Sequence, residues 1–140
     1  MNKEQFLAMS LPYDLKVSVS NKKVVYQVLK YNAGSYTQEY EYKSIIASPI
    51  LHPISDLTKP IEHKGEKFVP IEILKEMNGG DDIYISEYGV SINNGYAAAY
   101  NLNIAFEFVL KLIEWHFDIA GLIEKGEAID VNTLPENPYK

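Results

Sequence analysis

The strongest periodic signal in the chain lies over residues 102–117, where Asn103, Glu107, Lys111, Glu114 and Asp118 recur at intervals of four, four, three and four. At ~100° per residue these positions form one narrow polar stripe. Every other position is apolar except His116, so the pattern predicts one long helix whose apolar arc covers ~240° of its circumference. A helix lying on one face of a sheet needs a stripe only ~100° wide or somewhat more, and something further must cover the rest. The candidates are the chain's own N-terminal helix (Phe6, Met9) and tail (Ala128, Ile129, Val131, Leu134), or a second copy in a two-fold dimer. The spacing of apolar residues in the tail favours intrachain cover. A monomer or a homodimer is therefore expected, with Phe108 on the flank as a candidate contact residue.

Upstream the period changes from helical to alternating. Asn2 is placed to cap a short helix that ends before Pro12. Leu15, Val17 and Val19 alternate with Lys16 and Ser18, a polar turn follows, and a second strand is expected over residues 24–31. A third, over 35–42, sets Tyr36, Tyr40 and Tyr42 on one face against Thr37, Glu39 and Glu41, and Ile45, Ile46 and the Ile50-Leu51 pair supply a short fourth. Four short strands with tight turns predict a small antiparallel sheet, curled or SH3-like.

Pro49, Pro53 and Pro60 flank residues 54–59, which read as an irregular linker between an N-terminal β-rich part (1–54) and a second part (60–140) of one domain spanning 1–140. The second part predicts a hairpin around Gly65, a short helix opened by Pro70 and stopped by Gly79 and Gly80, and a second hairpin through Ile83, Ile85, Val90 and Ile92. The fold class is thus α+β, with a small N-terminal sheet, further hairpins, and one long C-terminal helix packed on the sheet.

Charge narrows the partners. All 13 basic residues are lysines, against 19 acidic ones, for a net charge of −6. Base readers rely on the planar arginine fork, and a net negative chain is repelled by a polyanion, so nucleic acid is not an expected partner. Absence of cysteine removes disulfides, zinc-thiolate sites and thiol nucleophiles together. No apolar run reaches the ~18 residues of a membrane span, and the run of Phe6, Leu7, Ala8 and Met9 is too short for a signal-peptide core, so a cytoplasmic location is expected.

Three stretches are distinctive as phrases: MNKEQFLAMSLPYDLKV at residues 1–17, PILHPISDLTKPIEHKGEKFVPIEIL at 49–74, and EWHFDIAGLIEKGEAIDVNTL at 114–134. Together they resemble a group of small proteins, without an assigned activity, from gut Bacteroidales and from their phages and prophages. The resemblance covers roughly half the chain and implies a cytoplasmic protein encoded by a mobile element. It carries no catalytic residue, and residues 78–101 fall outside it.

Candidate chemistry is sparse. His116 falls at the centre of the helix's apolar arc, which suits a satisfied core histidine or a general base at a pocket floor. A small-ligand pocket between sheet and helix would draw on His116, Tyr84 and Glu114. The histidines His52, His63 and His116 lack the paired spacing of metal ligands, and no glycine pattern marks a phosphate loop or a serine nucleophile. Neither a catalytic residue nor a metal or cofactor is expected. Eleven tyrosines are many for this length, and Tyr36, Tyr40, Tyr42 and Tyr88, with Phe108, are the candidates for a protein-contact surface. The favoured reading is a non-enzymatic adaptor of a phage or mobile element that docks a host or phage protein; the alternative is a ligand-binding protein or enzyme using the His116 pocket.

Overall fold

The computed structural model describes residues 1–18, 26–28, 48–79, 83–86, 89–92 and 102–140. Helix α1, Lys3–Ser10, opens with a capping box: the Asn2 side chain accepts from the Gln5 amide at 2.8 Å, and the Asn2 amide donates to the Gln5 side chain at 3.0 Å. Phe6 and Leu7 are its buried residues, and Pro12 converts the chain to a 3₁₀ turn that leads into β1, Lys16–Ser18. β1 pairs antiparallel with β2, Tyr26–Val28, and with β3, Ser48–Leu51.

Residues 54–58 are not an irregular linker. They form a 3₁₀ helix, Ile54–Thr58, and bury Leu57 completely, because the flanking prolines fix its entry and exit without breaking it. β4 (Ile61–His63) and β5 (Glu66–Phe68) follow as a hairpin whose turn places Lys64 and Gly65 at φ 50° and 82°. Two successive positive φ values match the right-handed strand twist. Helix α2, Pro70–Met77, starts on its proline as the sequence predicts. A second hairpin joins β6, Ile83–Ser86, to β7, Gly89–Ile92. Helix α3 is Leu102–Glu114, and the chain ends through β8, Ile129–Asp130, and a 3₁₀ turn.

The architecture is α+β with small sheets, but two expectations about it are corrected. Among the described residues the N-terminal sheet is not wholly antiparallel: its order is β2-β1-β3-β8, and the tail strand β8 pairs parallel with β3, while the strand expected over 35–42 lies outside the described residues. Nor is there one long C-terminal helix packed on that sheet. α3 has 13 residues and ends at Glu114, three residues before the apolar pattern does. The amide of His116 donates to the Ile113 carbonyl at 3.0 Å and that of Phe117 to the Leu112 carbonyl at 2.8 Å, with His116 at φ 62°. This is a Schellman closure, and Phe117 folds back into the same apolar cluster as Leu112.

Phe108, Leu112 and Trp115, at positions i, i+4 and i+7, turn one face of α3 and its C-terminus toward Leu57, Ile61, Ile71 and Leu74. The helix therefore packs on α2, the 3₁₀ helix and the β4-β5 hairpin. A second cluster gathers Phe6, Leu7, Leu15, Val17, Leu51 and Leu122 on the four-stranded sheet, and Ile119 packs against both. A third holds Ile50, Val131 and Tyr139 on the other side of β3. Among the described residues no helix is long and apolar enough to cross a membrane.

Candidate functional site

The end of α3 brings together what is far apart in sequence. His52 follows β3, and its amide donates to the His116 carbonyl at 2.8 Å while its own carbonyl accepts from the Asp118 amide at 2.9 Å. Residues 116–118 thus run beside the end of β3 as an isolated parallel bridge. Asp118 is buried and accepts from the amides of Leu122 and Ile123 at 2.8 and 2.9 Å, which fixes the next turn. That turn closes with the same two-bond pattern as α3, through Gly126 and Glu127, and places Gly126 at φ 72°. The equivalent left-handed position at the end of α3 is held by His116, where a side chain costs about 1 kcal/mol or more.

His116 is 1% exposed, and His52 and His63 are equally interior. The three imidazoles surround one ring, that of Tyr139: the centroid of His116 lies 4.1 Å from it in a stack, that of His63 6.2 Å and that of His52 6.4 Å. His63 and His116 are 5.4 Å apart. The Tyr139 hydroxyl donates to the Ile50 carbonyl at 2.7 Å and accepts from the Lys16 amide at 3.0 Å. It therefore bridges β1 and β3 just beyond the Val17–Pro49 pair, where the ladder ends.

Burial decides the protonation of this cluster. The His116 pKa is pushed down to about 2, first by loss of hydration and then by the neighbouring His63 and His52. Burial also lowers the His63 and His52 values, in the latter case against a 3.4 Å contact of Nδ1 with Asp56 Oδ2. The Tyr139 hydroxyl is pushed up from its ordinary value by burial and stays a phenol. Both nitrogens of His63 and of His116, and Nε2 of His52, have no hydrogen-bond partner within the described protein. Asp56 gathers the polar contacts instead, accepting from Asn132 Nδ2 at 2.7 Å and Lys59 Nζ at 3.4 Å.

Asp56 and His52 reach one end of an open cleft of about 690 Å³. One wall is the β4-β5 hairpin with Glu62 and Lys67, and the other is the C-terminal segment with Glu136, Asn137 and Lys140. That segment, residues 135–140, lies across the domain as a strap. Lys16 Nζ donates to the Pro138 carbonyl at 2.7 Å, the Lys64 amide to the Tyr139 carbonyl at 2.7 Å, and Asn137 Nδ2 to the Glu62 carbonyl at 2.9 Å. Replacing Tyr139 by phenylalanine keeps the ring but orphans a buried donor and a buried acceptor, so a loss of about 1–3 kcal/mol is expected in urea melts at neutral pH. An unchanged midpoint would mean that water replaces the hydroxyl at no cost.

The residues singled out from sequence do not assemble as expected. His116 is interior, whereas Glu114 pairs with Lys111 at 3.0 Å and lines a separate groove of about 280 Å³ with Tyr13 and Met77. Phe108 is 4% exposed, so the flank expected as a contact surface is core. Tyr36, Tyr40, Tyr42 and Tyr88 lie outside the described residues, as does the side chain of Tyr84. Sequence reasoning missed Asp56, Asn132 and Tyr139, whose bonds Asn132–Asp56 and Tyr139–Ile50 span 76 and 89 positions of the chain. The signal available was the Asn-Pro-Tyr run in a tail otherwise read only as extended. Among the described residues no group of three His, Cys, Asp or Glu side chains is disposed to hold a metal ion. No protein-family model matches the chain, and neither the curated proteins nor the solved structures yield a match.

Proposed function

We propose that this chain is a non-enzymatic docking protein of a phage or other mobile element, and that it holds an extended segment of a host or phage protein in the cleft beside the β4-β5 hairpin. The observation that carries the reading is the strap. This face already holds an extended stretch of polypeptide through the Lys64 amide, the Lys16 ammonium and the Glu62 carbonyl. Of these the Lys64 amide and the Glu62 carbonyl are main-chain groups, which give affinity for an extended chain irrespective of its sequence. The remaining cleft offers cations at Lys59 and Lys67 and carboxylates at Asp56 and Glu62, which suits a polar segment of mixed charge. Both nitrogens of His63 and of His116, and Nε2 of His52, are buried, which withholds them from general-base work on a bound molecule. The resemblance to proteins of Bacteroidales phages and prophages supports the choice of partner.

The test is site-specific photo-cross-linking in lysate of phage-infected Bacteroidales cells. A photoreactive residue at exposed position 62 or 67 is expected to trap the same partner protein, and Lys59→Glu introduced beside it is expected to reduce the yield several-fold. A probe at exposed position 125, outside the cleft, serves as the control. Equal adducts from 125, or none from 62 and 67, would reject the reading.

A further inference from the structure

We infer that residues 135–140 are an acid-released strap: the three histidines around Tyr139 form a proton-loaded latch whose charging expels the ring and frees the C-terminal segment. The inference stands without the docking reading, because it concerns how this chain holds its own tail.

The geometry has three parts. First, the Tyr139 ring is a neighbour common to all three imidazoles, with centroids 4.1 to 6.4 Å away, so its departure loosens the packing of every one of them at once. Second, residues 135–140 belong to no helix or strand, so they can leave without opening either. Third, besides the ring and its hydroxyl bonds to Lys16 and Ile50, the segment is tied by the bonds of Lys16 Nζ, the Lys64 amide and Asn137 Nδ2.

Charges facing the cluster do not neutralise it. Asp56 from the 3₁₀ helix contacts His52 but is shared with Asn132 and Lys59, and Asp130 from β8 lies farther off. Glu66 from β5 and Glu114 from α3 face His63, opposed by Lys64 in the hairpin turn. Around His116 the charges that act are Lys16, Lys64 and the other two histidines, all of one sign. A first proton in the closed form therefore makes the next harder to add, whereas the open form, with its imidazoles in water, accepts them independently. Opening is coupled to the uptake of more than one proton, which makes it steep in pH. His116 occupies a backbone position where glycine or asparagine fits better, and its presence there supplies the ring that stacks on Tyr139.

Residue-resolved amide exchange by NMR on the full chain tests this. The amides of Lys16 and Lys64 are sealed by Tyr139, while those of Leu122 and Ile123 are sealed by Asp118, away from the strap. After correction for intrinsic exchange, protection at Lys16 and Lys64 is expected to fall about tenfold per pH unit below ~6.5 for each proton taken up on opening, with Leu122 and Ile123 still protected. His116→Asn, which tolerates the left-handed backbone, is expected to reduce that slope by about one proton. Tyr139→Ala is expected to expose both strap amides at neutral pH. Loss of protection at all four amides together, or no fall at Lys16 and Lys64 in the wild-type chain, overturns the inference, and so does an unchanged slope in His116→Asn.

Discussion

Replacing Phe108 by aspartate is expected to leave the chain unfolded at neutral pH, the largest single-residue effect in the molecule. Phe108 is 4% exposed between Leu57, Ile61, Ile71 and Leu74, so the change removes a packed ring, worth about 3–5 kcal/mol, and sets a carboxylate among aliphatic groups. The total stability of a domain is about 5–15 kcal/mol. Circular dichroism with light scattering decides the matter. A wild-type monomer and an unfolded variant place this flank in the core. A wild-type dimer that the variant converts to a folded monomer would make it an interface, and a variant with unaltered melting would make it plain surface.

The same residue shows what was legible beforehand. An apolar arc too wide for one contact is a statement about the helix alone, and it correctly required a second cover. It could not name that cover, because the identity of a packing partner depends on chain reversal at distant positions. The cover of Phe108 is α2 with the 3₁₀ helix and the β4-β5 hairpin, and α1 lies against α3 as well. Local chemistry fared better: the Asn2 cap, the Pro70 start and the Gly65 turn depend on interactions a few residues apart, and all three lie where the residues put them. The early end of α3 was invisible for the converse reason. Nothing in the run Trp-His-Phe breaks a helix, and only the bridge of residues 116–118 to His52, 64 positions back in sequence at its nearest point, makes a left-handed histidine worth its backbone cost.

The site was legible in its parts and not in its assembly. His116 at the centre of the apolar arc was readable as buried, and it is. That His52 and His63 join it depends on the strand order, with β3 in the interior of the sheet and the β4-β5 hairpin folded against the end of α3. The sequence stretches 49–74 and 114–134 contain all three histidines, and Tyr139 lies five residues beyond the second of them.

Acidification is expected to destabilise the chain over a narrow range, and the shape of the loss separates a fixed core from a releasable strap. All three histidines are held below the ordinary value of ~6.5, so between that value and their folded-state values the unfolded chain binds more protons than the closed one. Stability is therefore fully present above ~6.5 and falls as pH drops below it, by up to about 1.4 kcal/mol per pH unit for each histidine that stays neutral. From pH 7.5 to 5.5 His116 alone accounts for about 1.4 kcal/mol, and His63 and His52 add to the fall in the same direction. Most carboxylates titrate lower, near ~4, and so leave this window to the histidines. Urea melts across the range, with and without His116→Asn, measure the fall. A rigid cluster would keep losing stability toward the His116 value of about 2. A strap that lets go ends the loss early, because imidazoles exposed in a still-folded chain bind protons as the unfolded chain does, and the slope returns to zero at the pH of opening. A flat profile from pH 7.5 to 5.5 would remove the buried neutral cluster itself. A steady decline without a plateau would keep the cluster and remove the strap.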